Sequence, residues 1–410
     1  MEYYRKIRGS RLPWYLFYTG FTMELLIVIL DKSNYINPIE GRLFQLTFLL
    51  FLLKVLLTEY TGKEWGVILC LELVAFLSYR VTGANDLIRL VTFVAACRDI
   101  PFKQMLKYAF QVTLTGCIVI IVLSLTGIYG EVSLTQAYGR GSLESTLYVG
   151  VEPVEETRYT LGMGHPNALS CMFLMLTLMG VYAYFERMKW YIYLFLMLLN
   201  VGVYVLTGSK TSMLITTAFL AGACVLNYCK FLRQNAFIYL CGLLVLILCV
   251  GFSVDAAANA QRVKDAQWNE YYYLDPRENG HIAALAKLDR QISGRIVSLA
   301  GTENKEGMIQ TWSAFSKPRN MDYYFDMGWV KLFYRYGIIP GALYLLALVA
   351  LLYRLYQHRD AGGLAVFVIL AVYTVMEAHL VSVYVGRNVL LLMMGYYFFT
   401  GSPGRVRKPE

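Results

Sequence analysis

The chain has 410 residues, 57% of them apolar and only 16% charged, and the apolar residues come in long unbroken runs rather than at amphipathic spacing. That composition excludes a soluble globule of this size. A net charge of +9 and a pI near 9.0 do not point to nucleic acid, because a membrane protein concentrates Lys and Arg in its cytoplasmic loops.

Runs of roughly twenty apolar residues cross a bilayer core, and about twelve runs of sufficient length follow one another at 13–30, 43–57, 65–80, 85–97, 106–128, 166–184, 190–206, 211–229, 236–253, 328–353, 363–380 and 387–400. The pattern predicts an all-α integral membrane protein, with residues 1–410 forming a single polytopic domain. The first run, Pro13 to Leu30, is long and aromatic and lacks a small-residue cleavage site, so it is expected to be a retained helix rather than a signal peptide. All eight Cys lie in or at the ends of the runs, where they pack as small hydrophobes and suggest neither a disulfide framework nor a metal site.

An even number of spans leaves both termini on one side. Short connections on that side hold Arg11, Lys63, Arg98, Lys103, Arg187, Lys189, Lys230, Arg233, Arg354 and Arg359, besides the terminal Arg5, Lys6, Arg8, Arg405, Arg407 and Lys408. The other side has Lys32, Arg42, Lys210 and helix-end residues such as Arg80 and Arg387. The positive-inside rule makes both termini cytoplasmic. Two long loops, 129–165 and 254–327, then face outward; they are polar, ionisable and not low-complexity, which marks the working face. Within the second, Leu285, Leu288, Ile292, Ile296 and Leu299 recur at helical spacing with Lys287, Asp289 and Arg290 off the stripe. An interfacial helix over 281–300 is therefore expected. Arg295 falls on the border of the stripe, where a cation needs a partner.

The sharpest local motif is RYTLGMGHPNALS at 158–170. Pro166 fits the first turn of a helix, which puts His165 near the N-cap of the sixth span, and Gly162 and Gly164 permit close approach of backbone or ligand. A helix N-terminus attracts an anion and disfavours a charged imidazolium, so His165 is a neutral base or hydrogen-bond donor beside a phosphate site, with Arg158 as the fixed cation and Asn167 nearby. The plain alternative is a surface histidine that only caps its helix. TGSKTS at 207–212 offers Lys210 to a phosphate, against the equally ordinary case of a snorkelling helix-end lysine. Arg290 and Arg295 are candidate diphosphate ligands in the second loop. Asp322 and Asp326 sit just outside the tenth span, with Lys331 and Arg335 in its first two turns; Asp326 is a candidate general base or else a salt-bridge partner. Glu377 and His379 lie near the outer end of the eleventh span as candidates, or as a pair bracing the bundle. The outer tyrosines Tyr271, Tyr272, Tyr273, Tyr323 and Tyr324 belong mainly to an interfacial aromatic belt.

In order and spacing the chain resembles the Wzy-type O-antigen and capsular polysaccharide polymerases, grouped in one superfamily with the O-antigen ligases. The resemblance is carried by ARDIPFKQMLK in a cytoplasmic turn, GHPN at 164–167, TGSKTS, SGRIVSL at 293–299, D-x-x-W-x-x-L-x-x-x-G-I-I-P from Asp326 to Pro340, and EAHL with Asn388 near the end. Lys210 stands where many relatives have Arg, and Met327 where Asn is usual.

The resemblance implies a GT-C-like glycosyltransferase of the bacterial cytoplasmic membrane that joins polyprenyl-diphosphate-linked repeats into O-antigen, capsule or exopolysaccharide. Donor and acceptor glycans would both ride on polyprenyl (undecaprenyl) diphosphate. Arg158, Arg295, Arg290 and Lys210 would hold the diphosphate, and His165 or Asp326 would be the catalytic base. Asn167, Arg335, Glu377 and His379 would be secondary residues. No metal or other cofactor is expected, since neither a D-x-D-like acidic pair nor a His-rich ligand set is present. Flippase and chain-length regulator proteins are candidate partners, and nucleic acid is not. An O-antigen-ligase-type transferase is the nearer rival. A lipid-linked glycan flippase or secondary transporter would place polar residues near the midplane on broken helices, often in paired halves, whereas here they gather at the outer mouth.

Overall fold

A computed structural model describes residues 11–33, 35–136, 155–268, 276–301, 306–316, 325–382 and 384–399. Asp322, the five outer tyrosines and the basic residues of both termini named above lie outside them, apart from Arg11. The chain runs through α1 (Leu12–Lys32), α2 (Glu40–Leu56), α3 (Gly62–Thr82), α4 (Asp86–Ala96) and α5 (Phe102–Leu125). Strands β1 (Ser133–Gln136) and β2 (Glu156–Tyr159) follow, and then α6 (Pro166–Tyr184), α7 (Trp190–Thr207), α8 (Lys210–Tyr228), the short α9 (Lys230–Gln234) and α10 (Ala236–Trp268). The remainder is α11 (Pro276–Gln291), α12 (Arg295–Leu299), α13 (Gly328–Tyr336), α14 (Ile338–His358), α15 (Ala361–Met376) and α16 (Val389–Phe399).

Eight of these helices are long and apolar enough to cross a membrane, and the chain is a multi-pass membrane protein. Its surface is correspondingly inverted. Phe195, Val205 and Leu248 point outward from α7 and α10, while Glu24 and Arg89 are buried between α1 and α4. Polar side chains are costly against lipid and are placed inside, where they find each other. Helix ends are set by local chemistry. A reciprocal capping box between Thr61 and Glu64 opens α3, His165 and Pro166 open α6, and Asp360 opens α15 by accepting from the Gly363 N–H.

Four expectations change. The tenth run is not one helix: the chain breaks at Gly337, whose φ of 95° and ψ of 174° suit only glycine and whose backbone is pressed against Ala314, Phe315 and Ser316. The spanning helix is α14, and α13 is a separate buried helix tied by Arg335 to Asp86 of α4 and by the Trp329 indole to the Ala371 carbonyl of α15. The ninth run continues as a 33-residue helix, roughly 50 Å long, so α10 extends well beyond a hydrocarbon core of about 30 Å. The interfacial helix expected over 281–300 is two helices, α11 and α12, separated by Ser293 and Gly294 at positive φ. Finally, the first long loop contributes a two-stranded antiparallel sheet in which Leu134 faces Arg158, so the fold is helical but not purely so.

Asp289 caps the helix that follows the break between α11 and α12. Although it lies off the apolar stripe, it is fully buried and accepts from the N–H groups of Ile296 at 2.6 Å and Val297 at 3.4 Å and from the Gln267 amide at 2.9 Å. It supplies the acceptors that the first turn of α12 lacks. Burial raises its carboxyl pKa above the ordinary value, against the pull of those hydrogen bonds.

One end of the bundle is laced together by hydrogen bonds. There Tyr384 donates to Asp31 at the end of α1 and Glu40 at the start of α2, the Tyr129 hydroxyl meets the Ser33 carbonyl, and Ser170 of α6 donates to Thr207 at the end of α7. Ser212 of α8 donates in turn to the Ser170 carbonyl. The long loops emerge at this end, and the ionisable residues singled out above collect there.

Candidate functional site

Arg295, the first residue of α12, is the hub. Its Nη2 lies 2.8 Å from Glu377 Oε1 and its Nε 3.6 Å from Asp326 Oδ2, while Nε also donates to the Met376 carbonyl at 2.9 Å and Nη1 to the Ile292 carbonyl at 3.1 Å. The partner that a border cation requires is therefore a pair of carboxylates from either side of α13, α14 and α15. Most of its directional donors are already committed, so Arg295 is better suited to hold Glu377 and Asp326 in place than to grip a diphosphate alone.

Glu377 stands just past the last turn of α15, outside the spanning segment, with its carbonyl packed against Gly328 of α13. Burial and the neighbouring Asp326 carboxylate push its carboxyl up to about 7, against the pull of Arg295. A carboxylate poised near neutrality and oriented by a guanidinium is what general-base chemistry requires. In sequence Glu377 stands as a secondary candidate behind His165 and Asp326, or else as one half of a bracing pair with His379. Instead His379 is fully buried behind it, with Nε2 3.2 Å from the Arg387 carbonyl and Nδ1 3.9 Å from Cys171 Sγ.

His165 is the N-cap of α6, as its place before Pro166 suggests. Its Nδ1 accepts from the Asn167 N–H at 3.1 Å, and both residues are exposed. Partial burial first and the Arg158 charge second lower its pKa, with Asp326 opposing, so the ring is held neutral. With Nδ1 engaged as an acceptor, the neutral ring carries its proton on Nε2. The second nitrogen is then a donor and not an acceptor. The approach to this cap is tight: Gly162, at φ +82°, lies against α5, where a Cβ would come 2.8 Å from Ser124 Cβ.

Arg158 projects from β2 and is largely buried, with Nε and Nη2 both donating to Glu156 at 3.0 and 2.5 Å. Its charge is thus partly balanced, yet it acts on His165. Lys210 is exposed at the first turn of α8, in the turn that Thr207 and Ser212 fasten to α6. Arg290 is exposed at the end of α11 and makes no hydrogen bond or ion pair among the described residues. Arg335 is paired with Asp86 at 2.5 Å rather than with Asp326, and braces α13 against α4.

One residue was overlooked. Arg387 precedes α16 in the segment returning from Glu377; its Nε is buried without a hydrogen-bond partner, and its side chain lines a small cleft with Lys32, Cys171 and Gly386. Electrostatically it acts on Glu377, Lys331 and His379. As a residue on the less basic side it counts only as a helix-end charge; the available signal was a lone Arg inside an otherwise apolar stretch, eight residues after His379. Lys331 of α13 joins the group through its interactions with Arg335, Asp326, Arg387 and Glu377.

The result is a cluster at one end of the bundle with two carboxylates on one arginine, Arg387 and Lys331 acting on them, and Arg158 connected to the group through His165. Among the described residues no group of three or more His, Cys, Asp or Glu is placed to hold a metal ion. Neither a protein-family model, nor a curated protein, nor a solved structure matches this chain.

Proposed function

We propose that the chain is a polysaccharide polymerase of the Wzy type, a GT-C-like glycosyltransferase that elongates glycan on a polyprenyl-diphosphate carrier at the outer face of a bacterial cytoplasmic membrane. In this reading α1 to α8, α10, α14, α15 and α16 are twelve spans, some of them short, and both termini are cytoplasmic. The observation that carries the reading is the meeting of a near-neutral carboxyl, Glu377, with cations at the mouth of the bundle.

Glycosyl transfer from a lipid diphosphate needs both. The acceptor hydroxyl attacks the anomeric carbon of the donor; its O–C bond forms as the C–O bond to the phosphate breaks. Glu377 accepts the hydroxyl proton, with Arg295 and Asp326 fixing its orientation. The departing diphosphate takes the bonding pair, and Arg387, Lys331 and Arg158 neutralise it, with the His165 Nε2–H as a further donor. This differs from the resemblance-based assignment in making Glu377 the base and Arg387 the foremost diphosphate cation.

The test is the cell's surface glycan after deletion of the gene, with complementation by wild type or Glu377→Gln. Loss of long chains with single repeats retained, restored by wild type and not by the variant, is the expected result. Accumulation of long lipid-linked chains would identify a ligase instead, and an unchanged ladder would refute the proposal.

A further inference from the structure

At the end of the bundle opposite the cluster, between the start of α10 and the end of α14, lies a groove of about 450 Å³ lined by Phe237, Tyr239, Leu240, Leu243, Leu352 and Tyr356 among others. Phe237, Leu240 and Tyr353 at its margin face outward from the bundle. A pocket of this size, apolar and open toward the hydrocarbon region, is suited to a chain of lipid.

Two observations say which lipid. Tyr239 lines the groove and is 4% exposed, yet its hydroxyl has no hydrogen-bond partner. A buried phenol normally finds one, so Tyr239 brings a hydroxyl without a partner to the wall of the groove. The charged groups acting on that hydroxyl are Asp360, Arg359 and Arg233. Asp360 is occupied by the Tyr182 and Tyr397 hydroxyls and the Gly363 N–H, which leaves the two arginines as the available charges at the rim. Arg359 closes α14 at φ 51° with its guanidinium 4.4 Å from the Tyr356 ring, and Arg233 lies 5.6 Å from the Phe185 ring. Neither has an ion-pair partner among the described residues.

We propose that this groove is a site for an anionic phospholipid of the surrounding leaflet: its acyl chain lies along α10 and α14, its phosphate is bound by Arg233 and Arg359, and a headgroup or ester oxygen accepts from Tyr239. A zwitterionic lipid fills the same groove with hydrocarbon but carries a cation that the arginines repel. The site is separated from Glu377 by the length of α15, roughly 24 Å for its 16 residues, and does not depend on the activity proposed above.

The experiment is native mass spectrometry of the full chain released from nanodiscs of equal phosphatidylglycerol and phosphatidylcholine. Wild type retains phosphatidylglycerol preferentially. Arg233→Gln and Arg359→Asn, the latter chosen because Asn tolerates a left-handed backbone, each reduce the preference about fivefold, the effect of one cation near an anionic surface. Tyr239→Phe keeps the shape of the groove and weakens retention by a smaller factor. Equal retention of the two lipids by wild type, or a preference unchanged in the double arginine variant, would overturn the proposal.

Discussion

Arg89 and Arg295 each meet a glutamate inside the bundle, but in different company. Arg89 is 3.0 Å from Glu24, with Thr47 bonded to the same oxygen and the Phe44 ring 3.7 Å from the guanidinium; both charges are nearly sealed, at 5% and 1% exposure. Arg295 faces two carboxylates, each retaining solvent access, with the unpartnered Arg387 Nε beyond them. A closed one-to-one pair offers no group to a substrate and braces α1 against α4. The open cluster keeps a carboxyl that is only partly neutralised, and this surplus is the part with chemical use.

The comparison is broken most directly at Glu377. Glu377→Gln retains size and a hydrogen bond to Arg295 but cannot take a proton, and turnover should fall by about a hundred- to ten-thousandfold with gel-filtration behaviour unchanged. Wild-type activity should rise with pH through about 7, since the base acts when deprotonated, and the variant should lack that rise. Because the folded protein holds this proton more tightly than the unfolded chain, ionising Glu377 erodes stability as pH climbs from 4.5 to about 7. Near-normal turnover in the variant would return the base role to Asp326 or His165.

Arg89→Ala probes the sealed pair. Leaving Glu24 uncompensated should cost about 3–5 kcal/mol of stability, and Arg89→Met combined with Glu24→Gln should recover much of it. Thermal unfolding in detergent decides; a small shift for the single variant would mean that water reaches Glu24. Arg387→Ala should mainly reduce turnover, by roughly thirty- to a thousandfold, for loss of a charge-assisted contact of about 2–4 kcal/mol. Arg335→Ala, which strands Asp86, should be seen chiefly in stability. If the two variants behave alike, Arg387 is a brace.

Smaller effects sharpen the reading of His165. His165→Asn restores an N-cap but not the Nε2 donor, whereas His165→Ala removes both; the cap is worth about 1 kcal/mol of stability. Equal turnover per folded molecule in wild type and the Asn variant would leave His165 with capping alone. Lys210→Ala should change turnover by less than about twofold, as for an exposed side chain off the cluster. A larger loss would restore it to the site.

What the sequence disclosed follows from how local each cause is. Membrane insertion is written in run length, and the cap at His165 in the neighbouring proline, so both are legible residue by residue. The demand of Arg295 for a partner was legible too, but its identity was not: Glu377 is 82 positions away, and pairing at that separation is decided by packing. Asp289 was misplaced for a related reason. Periodicity assigns a polar residue to water unless something inside needs an acceptor, and the need arose only because Gly294 breaks the helix. Arg387 was hidden by a topology count in which it is merely one charge on the sparse side.

The length of α10 ties the candidate site to the thickness of the membrane. Lys264 of α10 holds the Gly301 carbonyl and Gln267 holds Asp289, so the short helix bearing Arg295 is fastened to the part of α10 that extends past a bilayer core. The extension of α10 is polar and stands in water, whereas a helix shorter than the hydrocarbon slab is accommodated by local thinning of the bilayer, at a modest cost that changes with acyl length. Arg295 therefore rides on the part of α10 that stands clear of the slab, while Glu377 ends a helix of roughly 24 Å, shorter than the slab. The separation of the two partners becomes a gauge of hydrophobic mismatch, and turnover measured in vesicles of graded chain length should pass through a maximum.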